Sequence, residues 1–153
     1  MPPSLRTVLV GALLLSAVVP VAAQDAAVLT ADQLHEEMAR KDILLLDARN
    51  LKLYEKGHIQ GAKMPRPVQY FQQEELFRQG LSAQAPDQEA ALVEWTKDLP
   101  KETPIVTYCN ANCPASAVLA TRLKQLGFLN VRSMEEGYQV WEQKGYPVSN
   151  PDV

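Results

Sequence analysis

Two short apolar runs constrain this chain more than any other feature. Ile43-Leu44-Leu45-Leu46 is bounded by charge at Asp42 and Asp47, and Pro104-Ile105-Val106-Thr107-Tyr108 is a second such run. Continuous apolar stretches of this length suit strands buried on both faces, as in a parallel sheet. Around them the spacing turns helical. Thr30 with Gln33 three residues later is a capping-box signature, and Leu34 and Met38 continue at helical spacing through Arg40. Val68 to Gln79 and Asp87 to Asp98 also read as helices, separated by a turn-like stretch from Ser82 to Pro86. Leu119, Leu123 and Leu126 form one apolar stripe, in a helix that Pro114 opens and Gly127 closes. Asn130 to Ser133 fits a short strand. Glu136 to Lys144 fits a last helix with Val140 and Trp141 facing inward, ended by Gly145 and Pro147. Strands separated by helices predict an α/β fold, a parallel sheet core with helices on both faces.

At 153 residues there is room for one domain and little else. Residues 1–23 read as a secretory signal peptide. Arg6 precedes an uncharged, mostly apolar stretch from Thr7 to Val19, Pro20 breaks it, and Val21-Ala22-Ala23 offers small residues to a peptidase cutting before Gln24. That stretch is shorter than the ~20 residues needed to span a bilayer, so cleavage is expected rather than anchoring. The expectation is a protein exported to the periplasm, with residues 24–153 as its single domain. Fifteen basic against eighteen acidic residues give a formal charge of −3, so no basic stripe is available to follow a phosphate backbone and no nucleic-acid partner is expected. The two cysteines and two histidines are not read as a zinc-finger or zinc-ribbon ligand set, and no metal site is expected.

Open parallel sheets bind ligands at the carboxyl ends of their strands. Cys109 lies there, directly after the run ending at Tyr108, and Asn110, Ala111, Asn112 and Cys113 connect it to the helix opened by Pro114, Ala115 and Ser116. A strand–loop–helix junction aims backbone N–H groups and the positive end of the helix dipole at the cysteine, which lowers a thiol pKa. Cys109 is therefore the candidate nucleophile. Outside the cytoplasm Cys109 and Cys113 can oxidise. A structural staple is a weak explanation for the pair, because so short a loop restricts the unfolded chain little. Either the loop curls and brings Cys113 within disulfide reach of Cys109, making it a resolving thiol, or Cys113 only caps the helix and points away.

With these residues in hand, the chain resembles the rhodanese (sulfurtransferase) family. Leu44-Leu45-Leu46-Asp47-Ala48-Arg49 is similar to that family's strand followed by D-x-R. Tyr54 and Gly57-His58-Ile59-Gln60-Gly61-Ala62 resemble its G-H-I-x-G-A turn, and Ile105 to Cys109 resembles the strand delivering its active cysteine. Leu126-Gly127-Phe128, Asn130-Val131, Gly137, Trp141 and Gly145-Tyr146-Pro147-Val148 match its closing pattern. The resemblance covers about Thr30 to Val148 and implies a rhodanese-like fold. It further implies a sulfurtransferase that holds sulfane sulfur as a persulfide on Cys109. A sulfane-sulfur donor such as thiosulfate or polysulfide, a thiol or other nucleophilic acceptor, and no cofactor follow from the same resemblance. Asp47 and Arg49 are carried over as supporting residues that tie a loop near the site; taken alone they read as a surface ion pair. His58 reads as a hydrogen-bonded turn residue rather than a base, His35 as a solvated position on a surface helix, and Trp141 as core.

The chain also departs from the family pattern. Asn112 stands where glycine is common, and no arginine occurs between Cys109 and Ser116. Ala115 occupies the position where a C-x5-R phosphatase needs an arginine to clamp phosphoryl oxygens, which argues against phosphatase chemistry. The same absence, together with a Pro65 to Lys101 segment longer than a minimal domain needs, motivates a second reading: a non-catalytic rhodanese-fold module that binds a protein partner. A third is a thiol–disulfide redox protein using Cys109 and Cys113, although C-x3-C is not the C-x-x-C of thioredoxin-like proteins.

Overall fold

The computed structural model of the chain describes residues 28–69 and 88–150. The leader-like residues 1–23 lie outside them, as do the Ser82 to Pro86 turn and the expected helix beyond Gln69. In chain order the elements are β1 (Val28–Leu29), α1 (Ala31–Met38), β2 (Leu44–Asp47), α2 (Leu51–Lys56), β3 (His58–Ile59), α3 (Arg66–Gln69), α4 (Gln88–Thr96), β4 (Ile105–Tyr108), α5 (Ala115–Gln125), β5 (Val131–Met134), α6 (Tyr138–Gln143) and β6 (Val148–Ser149). A four-stranded sheet runs in the order β1-β5-β4-β2 with every pair parallel, and β3 and β6 form a small antiparallel pair beside it. Among the described residues no helix is long and apolar enough to cross a membrane.

The two apolar runs lie side by side, with Leu44 opposite Ile105 and Asp47 opposite Tyr108. Because successive strand residues point to opposite faces, the register sorts the side chains into two cores. Leu46, Ile105 and Cys109 pack on one face with Val68, Leu92, Leu119 and Leu123, under α4 and α5. Leu45, Val106 and Tyr108 pack on the other with Leu34, Tyr138 and Trp141, under α1 and α6. The two runs are largely apolar because helices cover both sides of the sheet.

Local signals end the elements as expected, with small shifts. Thr30 Oγ1 accepts from the Gln33 amide at 3.1 Å and Gln33 Oε1 accepts from the Thr30 amide at 2.9 Å, closing the capping box of α1. After α5, Gly127 at φ 89° allows Phe128 N to donate to Leu123 O and Gly127 N to donate to Lys124 O, a Schellman ending. The fourth strand of the sheet sits one residue later than Asn130 to Ser133. The last helix is shorter than Glu136 to Lys144 because Gly137, at φ 86° and ψ 168°, turns the chain just before Tyr138. His35 is not a solvated position. Its ring stacks on Tyr146 at 4.0 Å between centroids and meets the edge of Trp141 at 5.7 Å, a cluster joining α1 to the chain after α6 that helical periodicity does not reveal.

Candidate active site

β4 leaves the sheet between β2 and β5, so Cys109 emerges at the middle of its carboxyl edge, where it is 1% exposed. The loop after it curls. Cys113 N donates to Asn110 O at 3.2 Å, and Asn112 takes φ 60°, the only positive φ of a non-glycine residue among those described. Asparagine tolerates the left-handed region better than any other side chain except glycine, which explains its place at this turn. The curl closes a disulfide between Cys109 and Cys113, with Cα atoms 5.9 Å apart. Of the two arrangements open to Cys113, the structure has the one in which the sulfurs meet. Pro114 follows in helical conformation at φ −75° and accepts from Val118 N at 3.0 Å, so it opens α5 as expected. Ala115 and Ser116 are buried in the first turn of the helix, and Ser116 O accepts from Thr107 Oγ1 on β4 at 2.8 Å.

The other side of the loop rests on the start of α6. Tyr138 N donates to Cys109 O at 2.9 Å. Gln139 makes a two-point clamp, its Oε1 accepting from Ala111 N at 3.2 Å and its Nε2 donating to Asn110 Oδ1 at 3.0 Å. A Cβ on Gly137 would lie 2.3 Å from Ala111 N, so only glycine permits this approach. Gly137 was visible in sequence as part of the closing pattern. Gln139 carried no signal, because its partner residues lie 28 and 29 positions away.

Beneath the loop, Asp47 and Arg49 are buried, not a surface pair: they are 0% and 2% exposed. Arg49 Nε reaches both Asp47 carboxylate oxygens at 3.0 Å, and Nη2 donates to Oδ2 at 2.6 Å and to Gly57 O at 2.6 Å. The Tyr108 hydroxyl donates to Asp47 Oδ2 at 2.6 Å and accepts from Ile59 N at 3.2 Å. The guanidinium also lies 4.0 Å from the centroid of the Tyr138 ring. Burial works against the Arg49 charge, but the Asp47 carboxylate outweighs it and raises the Arg49 pKa. Burial, reinforced by the same carboxylate, pushes the Tyr108 phenol far above its ordinary value. The network therefore keeps Arg49 charged and Tyr108 neutral. It locks β2, β4, the turn before β3 and the start of α6 around the residue preceding Cys109.

His58 takes no part in this arrangement. Its Nδ1 lies 3.0 Å from Tyr54 O and its ring stacks on Tyr54; it is hydrogen-bonded as expected, but sits in strand β3 rather than in a turn. Among the described residues no group of three or more His, Cys, Asp or Glu side chains is placed to hold a metal ion. Beside the loop a groove of about 340 Å³ opens between α2 and α6, lined by Lys56, Gly57, Asn110, Tyr138, Gln139 and Asn150 among others.

This geometry can be set against known proteins. The family model described as "Rhodanese-like domain" matches residues 30–144. The chain belongs to the rhodanese-like domain family. Its fold agrees with solved members. A rhodanese-like domain of an Anabaena protein superposes with a TM-score of 0.58 at 20% identity, over 81% of this chain and 79% of that one. A rhodanese-related protein from Thermoplasma volcanium gives 0.53 at 25% identity, over 80% and 96%. A thiosulfate sulfurtransferase from Pseudomonas aeruginosa gives 0.57 at 21% identity, over 81% of this chain but 20% of its own length, so that likeness is one of fold. No curated protein sequence matches the chain. Cys109 directly follows β4, at the strand–loop–helix junction where the sequence places it.

Proposed function

We propose that the domain is an exported sulfurtransferase that carries sulfane sulfur as a persulfide on reduced Cys109. One observation carries the reading: Cys109 ends the central strand β4 and faces a tightly curled loop that runs into the N-terminus of an eleven-residue helix. The Cys109 thiolate attacks the outer sulfur of thiosulfate or a polysulfide. A sulfur–sulfur bond forms, the donor's own sulfur–sulfur bond breaks, and the remainder, sulfite in the case of thiosulfate, leaves with the electron pair. A thiol or other nucleophile then takes the outer sulfur and returns Cys109 to a thiolate. The positive end of α5 favours the anionic sulfur in both states. Ala115, buried beneath the loop, replaces the arginine that would clamp a dianion, so charge complementarity rests on backbone groups and the helix. The groove flanking Asn110 lies beside the loop that follows Cys109. Export to the periplasm, read from residues 1–23, accords with a cysteine pair that oxidises.

The test is mass spectrometry of dithiol-reduced, desalted protein after exposure to thiosulfate or polysulfide. The expected product is about 32 Da heavier and carries the added sulfur on Cys109. Equal sulfur transfer by Cys109→Ala and wild type would falsify the assignment.

A further inference from the structure

We propose that Cys113 gives this domain a second activity, reduction of the bound sulfane sulfur to sulfide, with the Cys109–Cys113 disulfide as the product of that step. The inference rests on the persulfide reading and adds the fate of the sulfur. Four hydrogen bonds hold the loop through groups other than the two sulfurs: Cys113 N to Asn110 O, Tyr138 N to Cys109 O, Ala111 N to Gln139 Oε1, and Gln139 Nε2 to Asn110 Oδ1. Asn112 keeps its left-handed turn and Gly137 its close approach by the same backbone packing. These contacts tie the loop down at points other than the disulfide. When the bond is reduced, the Cys113 thiol stays next to Cys109, at the high effective concentration of a short, preorganised loop.

Once a persulfide forms on Cys109, the Cys113 thiolate attacks the Cys109 Sγ. The Cys109–Cys113 bond forms, the bond from Cys109 Sγ to the outer sulfur breaks, and the outer sulfur leaves as hydrosulfide with the electron pair. Both thiols are oxidised and the sulfane sulfur is reduced by two electrons. A second turn needs an external dithiol, which becomes a disulfide as it restores the two thiols. The reaction belongs after one that generates sulfane sulfur and requires a dithiol donor in the same compartment.

The experiment uses the full chain, reduced, desalted and given thiosulfate without added thiol, with sulfite, sulfide and intact mass followed in wild type and Cys113→Ser. Wild type is expected to release one sulfite and about one sulfide per chain, then stop in the disulfide form. Dithiothreitol should convert that single burst into continuous sulfide release. Cys113→Ser should release one sulfite, keep the persulfide at least about tenfold longer, and yield no sulfide until thiol is added. Equal persulfide lifetimes, or wild type that keeps the added sulfur beside a free Cys113, overturns the proposal while leaving the sulfurtransferase reading intact. Sulfite from neither protein overturns both. The wild-type burst and its dithiol dependence decide the matter even where the variant folds poorly.

Discussion

Replacing Gly137 by alanine tests whether the active loop is positioned by backbone contact with the start of α6. At φ 86° and ψ 168°, Gly137 occupies a region used almost only by glycine, at a cost of roughly 1–3 kcal/mol for any other residue. The new methyl would lie 2.3 Å from Ala111 N, 2.6 Å from Asn110 C and 2.9 Å from Ala111 Cα. All three are backbone atoms, so relief requires the loop itself to move by about 1 Å, and overpacking of this kind costs a further ~1–3 kcal/mol. The expected loss is therefore about 2–6 kcal/mol, a large share of the ~5–15 kcal/mol typical of a domain. Gly127 is the control: its φ is 89° but nothing lies within 4 Å of an added Cβ, so Gly127→Ala should lose only about 1–2 kcal/mol. Urea unfolding of both oxidised variants measures the difference, provided the denaturant slopes agree. The strain should also lodge in the loop, stretching the 2.9 Å bond from Tyr138 N to Cys109 O and speeding reduction of the disulfide. Equal losses in the two variants would refute the positioning argument.

Two further outcomes follow from contacts outside the sulfur atoms. Glu37 is held by Arg132 at 2.5 and 2.8 Å and by Lys41 at 2.7 Å, and chiefly the Arg132 bonds, against some desolvation, lower its pKa to about 2 from 4.5. A depressed carboxylate stabilises the fold above its unfolded pKa and loses that contribution as pH falls through the folded value. Stability should therefore drop between about pH 4.5 and pH 2, by about 2 kcal/mol after allowing for partial exposure, and Glu37→Gln should flatten that limb of a denaturant-unfolding pH series. Gln139→Leu removes two exposed hydrogen bonds from the loop, worth together about 1 kcal/mol, so dithiothreitol should reduce its disulfide about fivefold faster than in wild type; an unchanged rate would show that Gln139 does not hold the loop.

What was readable in the sequence divides along a physical line. Ile43 to Leu46 and Ile105 to Tyr108 announce a buried parallel sheet because burial on both faces leaves an apolar run in one short window. Caps such as Thr30 with Gln33, and Gly127 after α5, act within three to five residues and are equally legible. Cys109 could be placed because a strand followed by a helix has only one junction. The burial of Asp47 and Arg49 is another matter: their charges suggest solvent, and only pairing of β2 with β4 shows that Tyr108 and Gly57 complete the network. His35 was misplaced for the same reason, since Tyr146 reaches it from the far end of the domain. The meeting of the two sulfurs depends on Asn112 adopting φ 60°, an allowed conformation that the residue type permits but does not compel.

The loop's departures from the family pattern are mutually consistent in physical terms. An arginine at position 115 would bring a long charged side chain to a residue that is 3% exposed and packed with Leu119 and Cys109 in the core under α5. Alanine there closes the floor of the loop and puts no cationic side chain at that position to hold a dianion. What remains near Cys109 is a second sulfur, carried by the residue immediately before Pro114 and brought round by the Asn112 turn. A site built to retain an anionic product needs fixed positive charge, whereas one built to expel hydrosulfide needs a nearby thiol and a weak hold on the leaving anion. The absent arginine and the present cysteine thus favour the same proposed chemistry: loading Cys109 slowly, and unloading it through Cys113.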